Sequence, residues 1–166
     1  MRTSQDTGFV KYINLIIKTC LVCMMMTIAL LTLYQIIMRY GLSKSSSWSE
    51  EAIRFTFIWC SFLAVSIGIR EKIHIGINVV VQFFSEKVQS AIEIVSYILI
   101  IVFSSQLVFY GAKLVSSTQF QSSPALGIPM SLVYLSVPTM GVLIIFYSSL
   151  EILSLIKLLI NNKQKA

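Results

Sequence analysis

Between Lys18 and Arg39 stand twenty consecutive residues without a charge, "TCLVCMMMTIALLTLYQIIM". At about 1.5 Å per residue, a helix of that length covers roughly 30 Å, the thickness of a bilayer's hydrocarbon core. Composition extends the constraint to the rest of the chain. Of its 166 residues, 56% are hydrophobic and 12% charged, against about 25% charged in a soluble domain. That leaves too little polar surface to cover a globule in water, so lipid is the solvent for much of the molecule. The apolar run is too long for a signal-peptide core and lacks an A-x-A-like exit, so a retained helix is expected.

Three more spans follow. Phe55 to Ile69 lies between Arg54 and Arg70, whose aliphatic stems can carry their charges to the headgroups. A third runs from Ile94 to about Ala112, and a fourth starts near Pro129, a residue suited to a first helical turn. With their flanking turns the spans reach about 15–40, 51–70, 88–113 and 129–157. The expected fold is all-α: one four-helix membrane domain over 1–166 with short interfacial helical segments. In "EKIHIGINVVVQFFSEK", residues 71–87, the apolar positions Ile73, Ile77, Val80, Val81 and Phe84 have helical spacing. Residues 73–85 are either an interfacial helix or an extension of the third span. "SSTQFQSSPALGIP", 116–129, reads as a polar loop of turn formers.

Orientation follows from Lys and Arg near the spans. Arg2, Lys11 and Lys18 precede the first span; Arg70, Lys72 and Lys87 lie in the second loop; Lys157, Lys163 and Lys165 end the chain. The opposite side has Arg39, Lys44, Arg54 and Lys113. Both termini are therefore expected in the cytoplasm. The net charge of +6 reflects topology; the cations are scattered, with no basic patch or fingerprint for nucleic acid.

Several chemistries are disfavoured. A self-sufficient small carrier needs an ionisable group deep in its bundle, whereas Glu93 and Glu151 lie near span ends. Haem ligation commonly needs paired histidines, and His74 is the only one. Consecutive methionines at 24–26 point in different directions on a helix and do not converge on copper. Cys20 and Cys23 form a C-x-x-C pair, which makes a membrane redox subunit the alternative function. As packing elements they are two small apolar residues at i and i+3. No catalytic, cofactor or metal site is expected in this chain.

The polar group before the second span is unusual. In "SSSWSEEAIRFTFIWCSF", residues 45–62, Ser47 and Glu50 have capping-box spacing. Glu50 and Glu51 suit the positive end of a helix dipole, and Arg54 is placed to pair with either. Trp48 suits the interfacial aromatic belt. With Arg39 and Tyr40 at the end of the first span, the cluster either stitches two helices together or meets a partner chain.

Residues 38–77 resemble the signature region of the small membrane subunit of tripartite ATP-independent periplasmic (TRAP) transporters. The matching positions are Arg39, Tyr40, Trp48, Glu50, Glu51, Arg54, Trp59, Phe62, Leu63, Arg70 and His74. "SPALGIPMSLVYLSVP", 123–138, resembles the start of that family's fourth helix. Ala64 departs from a common glycine and Asn78 from a frequent acidic residue. The resemblance implies a bacterial inner-membrane subunit, not an enzyme, working with a large elevator-type membrane subunit and a periplasmic substrate-binding protein. Such systems import an organic acid, of dicarboxylate or sialic acid type, with sodium. The resemblance places the sodium and substrate sites in the partner, and gives this chain scaffolding and a candidate share of the receptor's landing surface. Arg39, Tyr40, Trp48, Glu50, Glu51, Arg54, Trp59, Arg70 and His74 are the candidate anchoring or partner-contact residues. His74, expected on the cytoplasmic side, reads as a solvated or capping histidine.

Overall fold

Each of the four apolar stretches is helical in a computed structural model that describes residues 8–44, 46–71 and 86–163. A bilayer offers no water to unpaired amides and carbonyls, so a spanning segment must satisfy its backbone within itself. Helix α1 covers Gly8–Ile36 and passes into a π-helical turn, Ile37–Gly41. Helix α2 covers Ser47–Arg70 and α3 covers Glu86–Ser117. The fourth stretch is divided into a short α4, Met130–Tyr134, and a long α5, Ser136–Lys163. Four segments, Val10–Gly41, Ser47–Arg70, Val88–Ser117 and Met130–Lys157, are long and apolar enough to cross a membrane.

The helices outrun the expected spans. Helix α1 begins well before residue 15 and α5 continues past 157, because lysine is a good helix former and a charge ends a lipid-embedded segment without ending the helix. Pro129 is the residue before α4, with φ −62° and ψ 130°, rather than its first helical position. A second proline explains the division at Leu135. Pro138 lies in the first turn of α5 and has no N–H to give the Tyr134 carbonyl, so the α-helical ladder is interrupted there. The segment 73–85, with His74, lies outside the described residues.

Helices α2 and α5 form the centre; α1 packs chiefly on α2, and α3 on α5 in the most extensive helix contact. One apolar cluster joins Ile69, Tyr97, Met140, Ile144 and Leu155. Another joins Ile17, Leu63, Ile67 and Tyr147, with Cys20 packed against it. The outer helices leave long apolar faces uncovered, among them Leu15, Val22, Met25 and Leu30 on α1 and Leu99, Val102 and Phe103 on α3.

Small residues set the α3–α5 distance. A Cβ at Gly141 would lie 2.7 Å from Val108 Cγ2 and 3.1 Å from the Ser104 carbonyl oxygen; one at Gly111 would lie 2.9 Å from Pro138 Cδ. With no hydrophobic effect between helices in lipid, such close approach supplies the van der Waals attraction. Gly141→Leu should therefore lower stability by about 1–3 kcal/mol or more through overpacking. Gly68→Ala, where a Cβ meets nothing within 4 Å, should be neutral or slightly stabilising. Thermal unfolding of the two variants in detergent checks the contrast; equal melting temperatures would contradict the packing account.

Candidate structural sites at the two helix ends

At the end containing the α1–α2 connection, the first site is built on Glu51. The chain between α3 and α4 folds into a tight turn: the Met130 amide donates to the Gln121 carbonyl at 2.8 Å, Ser123 N–H to Ile128 O at 2.9 Å, and Gly127 N–H to Ser123 O at 3.1 Å. Gly127 has φ +67°, a left-handed conformation that glycine adopts without a Cβ penalty. This turn leaves two successive amides, of Ala125 and Leu126, without an acceptor inside the loop. Both donate to Glu51 Oε2, at 3.0 and 2.7 Å. Consecutive N–H groups in a turn form an anion-binding concavity, and here the anion is a buried side chain of α2, 7% exposed.

This geometry corrects the expected local pairing. Among the described residues neither Glu50 nor Glu51 forms an ion pair with Arg54; Glu50 and Arg54 are exposed, while Glu51 turns inward to the loop. The capping box does not form either. Ser46, not Ser47, precedes the helix and makes no side-chain cap; the nearby hydroxyl of Ser49 donates to the Ser46 carbonyl at 2.8 Å.

Trp59, midway along α2, adds a second link to the start of the fourth stretch, its Nε1–H donating to the Leu132 carbonyl at 3.1 Å. The last carbonyls of a helix lack intrahelical donors, and α4 is so short that Leu132 is among them. Trp48 stacks obliquely with Tyr34 of α1, with ring centroids 5.7 Å apart. Arg39 and Tyr40, on the π-helical turn, are exposed.

At the opposite end, Arg70 Nη1 meets Glu151 Oε1 at 2.5 Å, with both side chains nearly inaccessible. Glu151 is 2% exposed. From Met130 to Glu151 the chain rises about 30 Å, so this pair and the Glu51 site stand roughly a hydrocarbon thickness apart. Lys18 of α1 pairs with Glu71 at the end of α2, and the Tyr147 hydroxyl donates to Asn14 Oδ1 at 2.7 Å. Three polar contacts thus join α1 to α2, α2 to α5 and α5 to α1.

Of the expected residues, Glu51, Trp59 and Arg70 make inter-element polar bonds, Trp48 a ring contact, and Arg39, Tyr40, Glu50 and Arg54 face outward. Asn14, Tyr147 and the partnership of Glu151 escaped the sequence reading. A signal existed for Glu151: it is the only charge between Lys113 and Lys157, at the end where Arg70 also lies. Cys20 and Cys23 are free thiols, Cys20 half-buried and Cys23 exposed.

Removing one member of the buried pair, as in Arg70→Leu or Glu151→Leu, should cost about 3–5 kcal/mol, and replacing both by apolar residues should restore much of it. Melting of the three variants in detergent checks this; additive losses in the double variant would refute coupling. For the other site, Glu51→Gln should weaken the charge-assisted acceptor by about 2 kcal/mol. It should accelerate hydrogen exchange at Ala125 and Leu126, and exchanging Glu51 with Arg54 should not restore protection.

Comparison with known proteins follows the same outline. Residues 28–158 match the family profile of the DctQ component of tripartite ATP-independent periplasmic transporters. The sialic acid TRAP transporter small permease protein SiaQ of Vibrio cholerae is 27% identical over 156 residues, covering 94% of this chain and 90% of that protein. A putative TRAP transporter small permease protein of Haemophilus influenzae is 23% identical over 138 residues, 80% of this chain and 83% of its own length. The isethionate TRAP transporter permease protein DctMQ of Oleidesulfovibrio alaskensis is 28% identical over 129 residues, 73% of this chain but 20% of that longer protein.

Proposed function

The chain belongs to the DctQ family of TRAP transporters, as the small permease subunit, and on that premise we propose that it is the fixed helical support of a sodium-coupled importer of an organic acid. Its helices extend the static part of a large elevator-type membrane subunit. The sodium and substrate sites lie in that partner, and a periplasmic substrate-binding protein delivers the cargo. The observation that carries this reading is the pairing of inter-helix contacts at two levels about 30 Å apart. Glu51 and Trp59 hold α2 to the loop before α4 and to α4 itself; Arg70, Glu151, Lys18 and Glu71 hold the other ends. A support that stays still while a neighbour slides needs its helices fixed at both ends.

Both termini then face the cytoplasm of a bacterial inner membrane. Arg39, Tyr40, Trp48, Glu50 and Arg54, exposed on the outward rim, anchor the helix ends at the headgroups and offer part of the receptor's landing surface. Glu51, Trp59 and Arg70 are internal anchors rather than docking groups. Relatives named for isethionate and for sialic acid support an organic acid as cargo. No cofactor is assigned to this chain.

The C-terminally tagged chain, extracted from native membranes in mild detergent, should bring with it a large multi-span membrane protein in near-equal amount. Recovery of the chain alone, or with bound quinone, would sink this reading and return attention to Cys20 and Cys23.

A further inference from the structure

A polar side chain on a lipid-facing helix surface is costly unless something meets it. Most hydroxyls on the outer faces of the spans meet their own helix. Thr27 donates to the Cys23 carbonyl, Thr32 to Ile28, Ser61 to Phe57 and Ser105 to Val102, at 2.7–2.9 Å. Gln106 of α3 differs. It is exposed, and its amide, with two donors and an acceptor, forms no hydrogen bond with any described residue. Ser46, Ser104, Ser123 and Ser148 also lack partners, but all four are buried within the fold rather than on an outer face.

Depth separates Gln106 from polar residues at the rim. Lys113 marks the edge of the apolar layer: its ammonium lies 4.4 Å from the Phe109 ring centroid and 5.8 Å from that of Tyr110, as a lysine reaching along aromatic rings toward headgroups does. Gln106 stands seven residues deeper, about 10 Å below along the helix. It also lines an open groove of about 330 Å³ between α3 and the start of α5, floored at Gly111 and Val137 and otherwise apolar. The uncovered face of α1, with Leu15, Val22, Met25 and Leu30, makes no comparable demand, and acyl chains satisfy it.

We propose that the face of α3 centred on Gln106 seats a transmembrane helix of the large permease subunit, one that presents a hydrogen-bonding group to the Gln106 amide while its apolar side chains fill the groove toward Gly111. This rests on the reading of the chain as support for a large subunit, and adds which surface makes the contact. Chemical complementarity selects the occupant: a lipid tail cannot hydrogen-bond, whereas a neighbouring helix can bring an amide, hydroxyl or freed carbonyl to that depth.

The test uses the full chain co-expressed with its large subunit in native membranes. A photo-crosslinking residue replaces Gln106 in one variant and Val22 of α1 in another. The expected result is an adduct to the large subunit from position 106 and only lipid adducts from position 22. Gln106→Leu, which suits lipid and leaves the fold intact, should reduce the large subunit recovered with the tagged chain roughly three- to tenfold. Crosslinks from 106 to lipid or to a second copy of this chain, with the large subunit still co-purifying, would overturn the assignment of this face while sparing the scaffold reading. Unchanged recovery with Gln106→Leu would remove the hydrogen bond from the account. If the unsubstituted chain recovers no large subunit, both readings fall together.

Discussion

Hydrocarbon gives no hydrogen bonds, and the arrangement of this chain follows from that. The spanning backbone must be helical, exposed hydroxyls such as those of Thr27 and Ser61 turn to carbonyls of their own helix, and the buried charges Arg70 and Glu151 pair with each other. Interruptions are tolerated where a side chain takes over the lost pairing. Pro138 interrupts the last span, and the nearby Leu132 carbonyl, near the end of the short α4, accepts from Trp59. The loop of residues 121–130 turns two amides away from itself, and Glu51 accepts both.

Those substitutions for water also tie the helices together. The aliphatic contacts between α1 and α2, or α3 and α5, fix spacing but leave sliding along the helix axis only weakly opposed. A carboxylate shared by two amides, and a buried guanidinium–carboxylate pair, have defined directions and resist such sliding. Their placement at opposite ends gives α2 two fixed points, one to the loop and one to α5.

Span number and span order were legible because hydropathy and charge report directly on the solvent each segment meets. Specific pairings were less so. Glu51 was set beside Arg54 because helix spacing makes side-chain neighbours visible, whereas its actual partners are backbone amides 74 and 75 residues away. Backbone donors carry no residue signature. The Trp59 bond to a carbonyl was hidden for the same reason. The Arg70–Glu151 pair could have been found by matching isolated charges at a common depth. The contacts at Gly111 and Gly141 could not, since a glycine in an apolar run shows nothing of what lies opposite.

The π-helical turn at Ile37–Gly41 has a bearing on how this subunit tolerates change in length. A π turn holds one more residue than an α turn, so α1 ends with a residue of slack just before the link to α2. The loss of one residue there converts the turn to ordinary α-helix and leaves the stacking of Tyr34 on Trp48 in register. The same loss in the middle of α1 would rotate everything beyond it by about 100°. A one-residue change in length is therefore absorbed most easily here, at the rim where Arg39 and Tyr40 stand.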